Sequence, residues 1–502
     1  MSQHLKLLLD CPLVIAAIFI LGIGGTFQYG FGISTMTSPA DYIKELVNQT
    51  YIQRYDVSLK QWQLSLIWSF IVSIFSIGGL LGSLLAPPIF SRFGRRKCLL
   101  LNNFVSIIGA VLMLWSRKAV SFEMIMVGRL LYGINSGVSL SAQTVYLVEC
   151  APKMLREMVG VTIATFVAAG KFSGQLLGIR EILGTKERWP WLLGFNAITA
   201  LFQLLTLPFL PESPKFLLLD RGDQQACEKA LARLWGNKDH STEVGEMLEE
   251  KAALQNIKSH SVMELFLDRT LRWQLITIMV AFGLLQLCGI NAVYFYSYEV
   301  FRAAGLHELQ LPYAALGTGL SETFGSLACF VIIGSVGKKV LFSRGCLAMA
   351  AVLLLLTITL YLQRHVSWMS YCSMVLIFIF IVLFSIGPGG TTAPLPGLIF
   401  TQAFKSAAYS VACSVNWICM FIVGMIFPIL VENLGSFCFL IFLFTCLTSS
   451  LYMHFNVPET NNKTPLEITE DFQKMHSKPG SSKGKEWDET PPDVTKTCET
   501  KF

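Results

Sequence analysis

Along this chain the apolar residues fall in runs of about twenty or more, separated by short polar joints, which is the length a helix needs to cross a bilayer. Twelve spans are predicted, centred near Ile20, Phe75, Ile108, Asn135, Ala168, Ile198, Ala281, Thr323, Leu353, Ser385, Ile418 and Thr445. A polar stretch of residues 211–271 separates six spans from six. Within that stretch, ACEKALARLWG, EVGEMLEEKAALQ and SVMELFLDRTLRW each place charges on one helical face. They predict three or four short amphipathic helices beneath a membrane domain. Residues 457–502 are polar and rich in Lys, Glu and Pro, and a largely disordered tail is expected. The chain thus divides into a first half (1–210), a linker (211–271), a second half (272–456) and a tail.

Composition removes the soluble alternative. Of 502 residues, 53% are hydrophobic and 14% charged, against about 25% charged in a typical soluble domain. The apolar run after MSQHLKLLLDC lacks a small-residue cleavage site, so it reads as a first span and not as a removed signal peptide. Thirteen cysteines are scattered without a CxxC or a Cys/His cluster, which argues against a metal centre or a disulfide framework, and no cofactor is expected. The net charge of +6 sits in short joints, so no nucleic acid is implied, and no obligate protein partner is evident. No nucleophile–base arrangement suggests an enzyme.

The joints fix an expected orientation. Arg92, Arg95, Arg96 and Lys97 follow span 2, Lys153 and Arg156 follow span 4, Lys338, Lys339 and Arg344 follow span 8, and Lys405 follows span 10. Positive residues stay inside, so both termini are expected in the cytoplasm. The loop after span 1 is then external, which makes Asn48 in Asn48-Gln49-Thr50 a glycosylation candidate, while Asn462-Lys463-Thr464 would be silent.

The two halves also repeat each other. Gly94-Arg95-Arg96 recurs as Gly337-Lys338-Lys339, and Pro211-Glu212-Ser213 recurs as Pro458-Glu459-Thr460, both at an offset of about 245 residues. Two duplicated six-span halves give a transporter whose site lies between them at mid-depth.

These residues carry a resemblance. RFGRRK, GRLLYG (128–133), ECAPKMLRE (149–157), LPESPKFLL (210–218), QLCGINAVYFYS (286–297) and VPETNNKT (457–464) look like the signatures of the facilitative sugar transporters of solute carrier family 2. FQYG (27–30) and Ala393 resemble its second class, nearest the less-studied members that include a urate-carrying branch. The resemblance implies an all-α major facilitator fold in the plasma membrane, with twelve transmembrane helices in two pseudo-symmetric halves. It implies hexose uniport by alternating access, without ion or ATP. An organic-anion carrier of the urate type and a non-transporting sugar sensor are the alternatives.

The resemblance also implies roles. Gln286, Asn291 and Asn416 match sugar-holding amides, suited to hydroxyls that both give and accept, and Gln28 and Tyr29 join them as substrate contacts. Phe295 and Tyr296 fall at the outer gate. Arg95, Arg96, Arg156 and Lys215 are expected to meet Glu149, Glu212 and Glu459 in an inner latch when the inner side is closed, with Lys338, Lys339 and Lys405 as second-half basics. Several family residues are missing. Gly334 and Leu398 replace latch acids, and Leu285, Ala164 and Gly32 replace ligand amides, which predicts a weak inner latch and a bias toward inward-open states. The valine of Asn291-Ala292-Val293 leans away from fructose.

Two charges stand apart. Ala164, Ala168, Lys171 and Gln175 share one helical face by their i, i+4, i+7, i+11 spacing. Lys171 lies about 22 Å along its helix from Arg156, and Glu322 sits at similar depth in span 8, where the family has a sugar-binding asparagine. Charges at that depth mark a pathway or a pair. Lys171 and Glu322 either pair across the halves, or contact substrate together with Gln175, or stand solvated in a wet cavity.

Overall fold

The computed structural model describes residues 3–333 and 335–477. Twelve long helical rods run through it. Spans 1–6 are Pro12–Ser34, Gln61–Phe93, Arg95–Trp115, Phe122–Cys150, Arg156–Leu177 and Trp189–Phe209. Spans 7–12 are Arg272–Phe295, Leu311–Ile332, Lys338–Leu362, Met369–Ile399, Gln402–Leu434 and Phe439–Asn456. Among the described residues, nine stretches qualify for crossing a membrane by length and hydropathy alone, one of them a 55-residue run that holds spans 11 and 12 together. Spans 4 and 5 fall outside that group because polar groups interrupt them, Arg129, Asn135 and Gln143 in one and Lys171 and Gln175 in the other. A helix satisfies its own backbone, which is why helices dominate such a chain.

The halves pair their spans in the same way. Span 1 packs on 5, 2 on 4, 3 on 4 and 3 on 6; correspondingly 7 packs on 11, 8 on 10, 9 on 10 and 9 on 12. Small residues allow the closest of these approaches. Gly78 and Gly82 on span 2 face Gly133 and Gly137 on span 4, and a Cβ at any of the four would overlap the opposite backbone. Outward-facing stripes such as Phe324, Leu327 and Val331, or Ile198, Leu201 and Leu205, stay exposed at helical spacing, as a lipid-facing surface requires.

Three rods are broken where the site will lie. Span 1 breaks at Gly25, where the side chain of Gln143 accepts the freed Thr26 N–H at 2.8 Å. Span 7 breaks after Leu287 at Gly289, whose φ of +89° suits glycine, and restarts as Ile290–Phe295. Span 10 breaks at Gly387 and continues in short turns started by Pro388 and Pro394.

Four short helices form the linker: Pro214–Leu219, Gln224–Trp235, Ser241–Gln255 and Val262–Leu267. Leu218, Cys227, Leu231, Val244 and Met247 give them a small core of their own. The linker is tied to both halves, because Trp235 donates to the Cys150 carbonyl at 3.0 Å while the His260 N–H donates to Ala403 and its ring stacks on Phe404 at 4.4 Å. The bundle thus has a linker end and a far end.

Within the tail expected to be largely disordered, one segment is ordered. Residues Pro465–His476 form a helix capped by Thr464 and Glu467, with Ile468 and Phe472 buried and His476 stacked on Trp273 at 4.1 Å. Its apolar positions, four apart, were hidden in a polar composition. Residues 478–502 lie outside the described residues, as does Gly334.

Candidate functional site

At mid-depth in the second half, the break in span 7 brings three amides into a chain. Gln286, on the last turn before the break, donates to Asn416 Oδ1 on span 11 at 2.9 Å and accepts from the Asn291 amide just past it. Gln286 and Asn291 are buried, and Asn416 is half-buried. Asn291 Oδ1 has no partner among the described residues. The chain of amides therefore offers an unpaired acceptor, beside bonds that a polyhydroxyl ligand can replace in kind.

Next to Asn416, Trp417 crosses to the first half. Its ring lies over Gly79, its Nε1 donates to Ser83 at 3.0 Å, and it meets Tyr29 edge-on at 5.7 Å between centroids. Tyr29 thus lines the interface between halves. Gln28 does not. It is buried inside the first half, donating to Thr199 and accepting from Ser106 and Asn135, so its amide is fully used between spans 1, 3, 4 and 6. The expectation that Gln28 contacts substrate is corrected accordingly: the two neighbours point to different faces of one helix, about 100° apart.

Lys171 and Glu322 meet. The Lys171 ammonium donates to both carboxylate oxygens, at 2.9 and 3.0 Å, with side chains 7% and 11% exposed. Tyr294, on the short helix Ile290–Phe295, donates its hydroxyl to the same carboxylate, and its ring lies 4.5 Å from the ammonium. One turn further toward the far end, Gln175 donates to Thr318 at 2.7 Å, and Gly319 abuts Phe172. Spans 5 and 8 are therefore sealed together by charge, amide and close packing.

Other ties close the far end. Thr37 donates to the Tyr294 carbonyl at 2.9 Å, Lys44 pairs with Glu299 at 3.1 Å, Arg302 reaches Asp41 at 3.8 Å, and Tyr313 donates to Glu181 at 2.7 Å. Hydrogen bonding to Glu308 holds the Arg302 guanidinium above its usual pKa, and the same bond holds the Glu308 carboxyl below its own. Phe295 and Tyr296 are buried beneath this layer, Tyr296 donating to the Gly424 carbonyl at 2.6 Å and stacking on Phe427. Asn48 is half-buried on the far-end helix Ala40–Tyr55, with the Thr50 hydroxyl turned inward to Leu46 and Val120.

The linker end is different. Beyond the Ser83–Trp417 bond, no hydrogen bond or ion pair among the described residues joins a span of one half to a span of the other. Gly160 has open space beside it, and Val161 and Ala164 on span 5 are exposed. The latch residues instead pair locally. Arg95 binds Glu149 at 3.0 Å and Asp220 at 3.3 Å, and Arg96 donates to the Leu210 carbonyl at 2.9 Å. Glu212 accepts the backbone N–H groups of Arg95 and Arg96, so it caps span 3, where the helix dipole favours an acid. Lys215 pairs with Glu250 on the linker at 2.9 Å. Glu459 accepts from the Thr460 and Asn461 amides and lies against Gly337. Arg156, Lys338, Lys339 and Lys405 have no ion-pair partner among the described residues. Arg156 and Lys215 do not meet Glu149, Glu212 or Glu459 in this arrangement, where each acid is engaged within its own half; the expected latch belongs to a state closed at this end. Replacing Glu212 by alanine is expected to cost about 0.5–2 kcal/mol by stranding the cap, seen as a lower melting temperature of the purified protein. An unchanged melting temperature would reject the capping role.

Arg129, Trp417 and Tyr294 were not singled out by sequence pattern. Arg129 is fully buried on span 4, donating to the Gly32 and Val72 carbonyls beneath Phe75. Its signal was a charge inside an apolar run.

The family model for sugar (and other) transporters matches residues 17–472. Facilitated glucose transporter member 9 of solute carrier family 2 from Homo sapiens is 40% identical over 467 residues, 93% of this chain and 86% of that protein. Member 11 from Homo sapiens is 40% identical over 485 residues, 97% of this chain and 98% of that one. Member 5 from Bos taurus is 38% identical over 475 residues, 95% of each. Among solved structures, a partially occluded inward-open xylose transporter XylE from E. coli superposes with a TM-score of 0.74 at 20% identity, covering 90% of this chain and 99% of that one. The same major facilitator superfamily symporter bound to 6-bromo-6-deoxy-D-glucose gives 0.72 at 22% identity, covering 91% and 98%. The fold of this chain is theirs.

Proposed function

The chain belongs to the sugar transporter family, within solute carrier family 2, and from that premise we propose that it carries a hexose such as glucose across the plasma membrane, down its gradient, by alternating access. The observation that carries this reading is the Gln286–Asn291–Asn416 chain at mid-depth, with an acceptor left unpaired beside an aromatic wall of Tyr29 and Trp417. Neutral amides with spare valence are what a sugar hydroxyl needs.

The linker end is the cytoplasmic end in this reading, supported by the basic joints there. The conformation is then closed outside and open inside, and the two halves, 1–210 and 272–456, rock about the site with the linker beneath them. The unpaired Lys338, Lys339 and Lys405 fit a weak inner latch, since few acids stand ready to receive them. The organic-anion alternative is not favoured. Its candidate cation, Lys171, already holds both oxygens of Glu322.

Uptake of labelled glucose and fructose into proteoliposomes tests the proposal. Uptake is expected to saturate, to stop at equal concentrations inside and out, and to be indifferent to a protonophore. Accumulation above the outside concentration that the protonophore abolishes would overturn uniport.

A further inference from the structure

Glu322 receives more than a lysine. The Tyr294 hydroxyl donates to its Oε2, the Tyr294 ring stands under the Lys171 ammonium, and the Tyr294 carbonyl is held by Thr37, just past the end of span 1. All four side chains are buried. Lys171 and Thr37 belong to the first half, Glu322 and Tyr294 to the second, so this is the point where the far-side seal is charged.

The seal has to break whenever the far side opens, and its members then fare differently. Lys171 leaves with span 5, and Glu322 turns to a water-filled cleft. There water replaces whatever Tyr294 donates, at little cost. In the closed arrangement water is excluded, and a carboxylate that loses a donor has no substitute. The Tyr294 hydroxyl is therefore worth more in the far-closed state than in the far-open one, although it never leaves its own half.

The geometry assigns Tyr294 as the positioning residue of a charged far-side lock: its hydroxyl aims the Glu322 carboxylate at Lys171 and thereby sets the balance between far-closed and far-open carriers. The assignment rests on alternating access as the mode of action. Tyr294→Phe keeps the ring beneath the ammonium and removes only the hydrogen bond. The ratio of far-open to far-closed carriers is expected to rise about tenfold, since hydrogen bonds to charged groups are among the stronger ones. Lys171→Met should raise it further.

Two readouts follow. Ala315, buried on the far-side face of span 8, is replaced by cysteine as a reporter. Its labelling by a membrane-impermeant thiol reagent from the far side, read at that peptide by mass spectrometry, is expected to quicken in Tyr294→Phe and more so in Lys171→Met. In transport, the apparent affinity of a carrier scales with the fraction facing the substrate. KM for glucose entering from the far side should therefore fall while KM from the linker side rises. A merely structural role would lower the amount of active protein and move neither KM in opposite directions. Labelling that quickens in Lys171→Met but not in Tyr294→Phe overturns the positioning role, and unchanged labelling in both overturns the lock. Labelling needs no sugar, so a wild-type protein that moved no hexose would defeat the transport reading while leaving this test intact.

Discussion

Lys171→Met is expected to harm the protein more than Lys171→Met combined with Glu322→Gln. The single replacement leaves a carboxylate 11% exposed, with Tyr294 as its remaining donor, in a seal that excludes water. Breaking one partner of a buried pair costs about 3–5 kcal/mol, whereas removing both is near neutral. Membrane depth sharpens the effect, because a lone charge there has no solvent to turn to. The protein has one escape, which is to open the far side and hydrate Glu322, so the loss will show partly as a shifted access balance. A double-mutant cycle on melting temperature in detergent and on transport rate measures the coupling. If the double variant is as impaired as the sum of the singles, the pair contributes no coupling and the lock fails.

Gln286→Ala is expected to abolish most hexose transport. Gln286 is the middle of the amide chain, so its loss would remove one proposed sugar contact and take the partner from both Asn291 and Asn416. A stranded buried polar group costs about 1–3 kcal/mol, or roughly ten- to hundredfold in kcat/KM if felt with substrate bound. Gln28→Ala is the instructive contrast. Its amide binds Thr199, Ser106 and Asn135 within one half, so its replacement should lower melting temperature and leave KM unchanged. Equal KM shifts in the two variants would mean that the amide chain is not the sugar site.

The number of spans, the six-plus-six division and the helical linker follow from hydropathy and repetition, because bilayer thickness dictates length and duplication copies it. Register made a Lys171–Glu322 contact possible, since helical spacing places Lys171 on the cavity face and depth matches it to Glu322, but it left a pair, a substrate contact and a wet cavity all open until the structure showed the pair. Tyr294 was invisible, since an aromatic residue in an apolar run looks like packing until coordinates show where its hydroxyl points. Gln28 misled for the converse reason: a conspicuous amide beside Tyr29 looks functional, yet one residue is a rotation of about 100° on a helix, and it faces its own half. The latch acids were legible as motif members, but their work as local partners and caps was not, because capping depends on where a distant helix begins. The tail helix Pro465–His476 escaped because only Ile468 and Phe472 of its residues are buried, and its other ties, His476 on Trp273 and Thr469 to Gln274, are made by polar residues.

Counterflow tests the central claim most directly. Proteoliposomes loaded with unlabelled glucose are diluted into a trace of labelled glucose, so that inside sugar occupies returning carriers and traps the label. The account predicts a transient rise of labelled glucose above its equilibrium level, followed by decay as the preload runs down, and a flattened rise for Gln286→Ala. Label that only creeps to equilibrium, with or without preload, would contradict a two-sided carrier with a single hexose site between its halves.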